Sequence, residues 1–227
     1  MTVFKNILKK QDWHLVLLAL LLALLNTMAT WYPQYFLGEF WGISTFSWLW
    51  IGVLAAVLHQ VYIMLVLRFE LETGWLTSNL PRIGYLAYMF DYTLLLIARI
   101  LALIFVAIAN HNTLFISTNN RVFISLLLAI PFLWLIYSVV RYYSLKYFAG
   151  AEYFNPENSS RNFPRHGIFK YTGNSIYTIG SLGFYIPGIV FASPAALLLA
   201  LFNNLYIWVH YYCTELPDKE RMDRFRR

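Results

Sequence analysis

Charge is what this chain has least of. Asp, Glu, Lys and Arg make up only 12% of its 227 residues, about half the share found in soluble domains. A water-soluble globule of this length needs more polar surface than that, so composition excludes one. Cysteine is nearly absent as well. The single Cys213 excludes an intramolecular disulfide and reads as a small apolar side chain near a helix end. No two of His14, His59, His111, His166 and His210 stand at metal-ligand spacing, so no metal centre is expected. There is no phosphate-binding Walker loop and no GxSxG. Internal repeats and low-complexity tracts are missing, as is a soluble platform for nucleic acid. One domain is expected over 1–227, with N-terminal helices in 1–146 and a loop, a helical hairpin and a charged tail in 147–227.

What is present is apolar. Hydrophobic residues make up 59% of the chain and aromatic ones 19%, and the mean hydropathy is +0.55. Runs long enough to cross about 30 Å of hydrocarbon, roughly 20 helical residues, recur along the chain. The expected fold is all-α, a polytopic membrane bundle of about six helices. The spans read 13–31, 45–67, 84–109, 122–145, a shorter 175–190 broken by Pro187 and Gly188, and 194–213. The last two form a tight hairpin, with Ser193 as N-cap and Pro194 at the first helical position. Lys5, Lys9 and Lys10 precede a run too long for a signal peptide, so a retained first helix is expected.

Lysine and arginine set orientation. With six spans, Arg121 alone falls on one side and Arg99 inside the third span, while the remaining basic residues, Arg161 and Arg224 to Arg227 among them, collect on the other. Both termini are therefore expected to be cytoplasmic, on the same face as the 150–174 segment and Glu215. A net charge of +6 gathered on that face suits anionic lipid headgroups.

Polar chemistry concentrates in two stretches. Residues 147–185 carry turn formers (Asn155-Pro156, Gly167, Gly173-Asn174), His166 and Lys170, then enter an apolar helix at Asn174-Ser175. These two are cap-type residues, and a capped helix start with a glycine-bearing approach can receive an anion. On the last helix Asn203, Ile207, His210 and Thr214 share one stripe flanked by Tyr206, with Glu215 just beyond it. Polar residues on membrane helices face protein or a cavity and are functional candidates. Asp91 and Arg99, eight apart in the third span, are expected to neutralise each other through intervening groups. His59-Gln60 in the second span is read as structural.

The stretches "HGIFKYTGNSIYTIG" and "FASPAALLLALFNNLYIWVHYYCTELPDKERM" resemble the integral-membrane methyltransferases that include phosphatidylethanolamine N-methyltransferases and isoprenylcysteine carboxyl methyltransferases. The resemblance covers about 147–223, and the Ala192-Ser193-Pro194 corner and Glu215 match best. It implies S-adenosylmethionine bound between the loop and the acidic motif at the cytoplasmic face. His166 and Gly167 would line the cofactor pocket, Asn174 and Tyr177 would stand at the helix start, and His210 and Glu215 would face the cofactor's polar end. Gly173-Asn174-Ser175 replaces the family's Arg-His-Pro, Thr214 replaces the first Glu of a pair, and Ile179 stands where glycine is usual. Loss of that Arg leans toward a phospholipid amine as methyl acceptor. His210 and Glu152 are the candidates for taking its proton. The alternatives are an isoprenylcysteine-type carboxyl methyltransferase, an NADPH-dependent sterol-type reductase and a non-catalytic membrane binding protein.

Overall fold

A computed structural model of the chain describes residues 2–154 and 164–225, without the side chains of 2 and 223–225. The Asn155-Pro156 turn, Arg161, the Arg224 side chain, Arg226 and Arg227 lie outside the described residues. The chain is helical almost throughout: α1 Thr2–Ile7, α2 Gln11–Trp31, α3 Thr45–Thr73, α4 Trp75–Asn79, α5 Gly84–Ala109, α6 Thr118–Ser138, α7 Leu145–Phe148, α8 Ser175–Thr178, α9 Leu182–Val190, α10 Pro194–His210 and α11 Leu216–Phe225. One short antiparallel ribbon, β1 Glu39–Phe40 and β2 Ile43–Ser44, joins α2 to α3.

Among the described residues, five stretches are long and apolar enough to cross a membrane: Val3–Trp31, Thr45–Thr73, Gly84–Ala109, Thr118–Tyr143 and Pro194–Met222. Their outer faces are apolar, as Leu15, Leu20 and Leu24 on α2 and Phe123, Leu127 and Ile130 on α6 illustrate. Such faces are stable only against lipid, so this is an all-α integral-membrane bundle. The segment Ser175–Val190 is shorter, about 24 Å at 1.5 Å per residue. Its break also differs from expectation. It falls at Ile179–Ser181, between α8 and α9, while Pro187 lies inside α9. Gly188 is where α9 meets α10, and a Cβ there would come 2.6 Å from Leu197 Cδ2.

Helix α10 lies at the centre, packed against α2, α3, α5 and α9. Ala195, Ala196, Leu199 and Ala200 are fully buried on it, beside Leu49, Ala56 and Val106. Small residues there let the helix backbones approach closely. The start of α10 is fixed as its sequence predicts: Ser193 Oγ accepts from Ala196 N at 3.1 Å, with Pro194 at the first position. Asn110 Oδ1 accepts from Ser193 Oγ and Ala195 N, and Asn110 Nδ2 donates to Leu37 O, which ties three segments together at this end of the bundle.

Candidate functional site

At the opposite end the chain's two polar stretches meet. After His210 the last helix changes to π pairing over Tyr211–Glu215 and then resumes as α11. A π turn inserts one extra residue and so rotates the helix beyond it, a feature common at functional sites. Here it turns Glu215 toward α8, where the Tyr177 hydroxyl donates to Glu215 Oε2. His210 Nε2 lies 3.8 Å from Glu215 Oε1, and Lys219 Nζ lies 3.7 Å from Oε2. Lys219 also rests over the Tyr211 ring.

The Glu215 carboxylate stands in a tyrosine cluster. Its charge acts on Tyr88, Tyr92, Tyr143, Tyr153 and Tyr177. The Glu152 charge acts on Tyr143 and Tyr153 as well. Tyr153 is buried and donates to Asp218 Oδ2 at 3.4 Å. Burial, with Asp218 beside it, pushes the Tyr153 phenol well above its ordinary value, so it remains a donor. A carboxylate bonded to Tyr177, whose ring lies against Tyr211 and Trp208, favours a cation, through charge and through the ring quadrupoles.

Of the residues singled out from sequence, Tyr177, His210 and Glu215 are brought together, with the Glu152 charge acting on tyrosines on which Glu215 also acts. His166, Gly167 and Asn174 are not. His166 is exposed and lies against the Tyr142 ring at 5.7 Å. Gly167 takes φ +59°, and a Cβ there would come 2.5 Å from Ser138 Oγ, so glycine allows the loop to lie on α6. Asn174 is exposed and its side chain makes no cap bond. The expected capped anion site at Asn174-Ser175 is therefore not formed: α8 is a four-residue turn, and Ser175 Oγ is buried without a hydrogen-bond partner. Asp91 and Arg99 do not neutralise each other either. Eight residues are about 12 Å of helix; Asp91 accepts from Tyr62, and Arg99 bonds Asn203 and His59.

Sequence reasoning missed the residue that assembles this end. Arg68, counted there only toward orientation, is 1% exposed. Its Nε donates to both Asp218 oxygens, its Nη1 to the carbonyls of Ile7 and Lys9, and its Nη2 to those of Cys213 and Thr214. Gln11 Nε2 also donates to the Cys213 carbonyl, and Gln11 Oε1 pairs with His14 Nδ1. His14 Nε2 lies 3.0 Å from the Tyr206 hydroxyl. The available signal was Arg68, Glu70 and Glu72 following the apolar part of α3 without a helix breaker. Glu70 accepts from the amides of Leu76 and Thr77, capping α4, and Glu72 pairs with Arg221. Lys219 and Arg221 thus have carboxylate partners in the protein.

Fold and site together define an integral-membrane helix bundle with a carboxylate and tyrosine cluster at one end. No protein-family model, curated protein or solved structure matches the chain.

Proposed function

We propose that the protein is an S-adenosylmethionine-dependent methyltransferase acting on a lipophilic acceptor in the membrane, most simply a phospholipid amine. The observation that carries this reading is the Tyr177 to Glu215 hydrogen bond. It joins the two separate stretches that carry the family resemblance, in a cluster suited to a cation. Both methyl donor and acceptor are cationic at the reacting end, one a sulfonium and the other an ammonium. The sulfonium supplies its own leaving group, so alignment and exclusion of water are the protein's main tasks. Glu215 would hold the donor's ammonium or ribose hydroxyls, and Glu152 or His210 would take the acceptor's proton before attack. The cluster end would face the cytoplasm with both termini, and the basic groups there would meet anionic headgroups.

Glu215→Gln keeps the shape and removes the charge. Charge-assisted hydrogen bonds contribute about 1.5–3 kcal/mol, so affinity for S-adenosylmethionine should fall roughly ten- to a hundredfold. Calorimetric titration of parent and variant checks this, together with transfer of labelled methyl to phosphatidylethanolamine. An unchanged dissociation constant removes Glu215 from the site. A parent that binds NADPH and not S-adenosylmethionine overturns the reading in favour of a reductase.

A further inference from the structure

A second polar group lies deeper, near the middle of the bundle, and the cluster around Glu215 does not use it. Arg99 is 2% exposed on α5, ten residues or about 15 Å from the Ala109 end, near the midplane of a hydrocarbon core about 30 Å thick. Its Nε donates to Asn203 Oδ1, Nη2 to the Asn203 carbonyl at 3.4 Å and Nη1 to His59 Nδ1 at 3.3 Å. Asn203 is held in that orientation because its Nδ2 donates to Leu199 O at 2.7 Å. Phe184 covers the guanidinium at 4.9 Å. Among the described residues no carboxylate lies within salt-bridge distance of Arg99. A buried membrane arginine without a counter-charge marks a functional site.

The hydrogen-bond inventory says what the site lacks. Arginine can only donate, so His59 Nδ1 is an acceptor and its Nε2 carries the proton in the neutral ring. That Nε2 is buried and has no hydrogen-bond partner. The Tyr88 hydroxyl is likewise buried without a hydrogen-bond partner, and it carries a proton to donate. The groups are neighbours. The His59 ring lies tilted against Tyr92 at 5.1 Å, and Tyr92 lies 5.9 Å from Tyr88. Two guanidinium N–H groups also remain without an assigned acceptor. Around this one positive charge N–H and O–H groups are left without acceptors, and a buried donor without an acceptor is costly.

We propose that Arg99 and His59 form a binding site within the bundle for the oxyanion of a membrane-resident amphiphile, a carboxylate or a phosphate ester. An oxyanion supplies both the missing charge and the missing acceptors. Mid-membrane depth and the apolar walls of Phe184 and Tyr92 favour a ligand that arrives from lipid. The proposal goes beyond the methyl-transfer reading and needs no S-adenosylmethionine.

The test uses the full chain in a neutral detergent, titrated with oleate against methyl oleate, with phosphatidic acid against diacylglycerol, and with sodium acetate. Oleate or phosphatidic acid should raise the unfolding midpoint, and whichever does so identifies the carboxylate or phosphate source. The neutral analogues and acetate should leave it unmoved at equal concentration. Arg99→Gln should weaken binding of the active amphiphile at least tenfold. His59→Phe keeps the ring against Tyr92 but removes the free N–H, and a three- to tenfold loss is expected; it carries the test if Arg99→Gln does not fold. Equal stabilisation by charged and neutral analogues, by acetate and oleate, or of parent and both variants overturns the proposal, as does a parent that responds to none of the probes.

Discussion

Arg68 commits all five of its N–H groups, two shared by α1 and the turn before α2, two by the π turn and one by Asp218 on α11. The Arg68 and Asp218 side chains are 2% and 8% exposed. Removing one partner of such a pair strands the other, which costs about 3–5 kcal/mol. Arg68→Ala should therefore lower stability by that order. Asp218→Asn should cost less, because an amide oxygen still accepts. Thermal unfolding in detergent, monitored by circular dichroism, checks both; an Arg68→Ala variant as stable as the parent removes Arg68 from its anchoring role. Glu215 differs from Asp218 three residues on. Its side chain is 27% exposed and its basic partners stand at 3.7 and 3.8 Å, so it keeps capacity for a ligand that Asp218 has already used.

At the scale of elements, α10 is fixed at both ends by different devices. Ser193 caps its start and also donates to the fully buried Asn110. Ser193→Ala loses the cap, typically about 1 kcal/mol, and leaves Asn110 Oδ1 with one donor fewer, so the total should reach about 1–2 kcal/mol. Ser117 is the control: it caps α6 through Asn120 N at 3.3 Å on an exposed surface, and Ser117→Ala should cost less. Unfolding midpoints of the two variants give the comparison, and equal losses would mean that the Asn110 bond contributes nothing. At its other end α10 runs into the π turn, which sets the rotation of Glu215 and Asp218 against Tyr177 and Arg68.

On the scale of the whole molecule, hydrogen bonds group distant segments by end. Thr77 donates to the Phe154 carbonyl and Tyr153 to Asp218 at one end, whereas Leu114 N donates to the Ala192 carbonyl at the other. On the proposed orientation, reporter fusions after residue 115 should read external, and fusions after 75, 160 and 227 cytoplasmic. A cytoplasmic signal at 115 would reverse or break the proposed orientation.

Apolar length and capping chemistry are local properties, and sequence alone carried them: the all-α membrane class, the start of α3, the bounds of α5 and the Ser193-Pro194 start of α10, whereas α3 runs six residues past its expected end at 67, to Thr73. The stripe of Asn203, Ile207, His210 and Thr214 flanked by Tyr206 was legible for the same reason, and all of these but the half-buried Ile207 lie on one buried face. Pairing between helices has no local signature. Whether Arg99 meets Asp91 or Asn203, and whether Arg68 faces headgroups or Asp218, depends on helix rotation and crossing, which packing of the small α10 residues decides. The π turn adds a rotation that no 3.6-residue count anticipates, and Asn174 lost its expected capping role because α8 stops after a single turn. Local composition was enough for the solvent and most of the spans, whereas the partners of the buried charges emerged only with packing, because in a bundle those partners come from other helices.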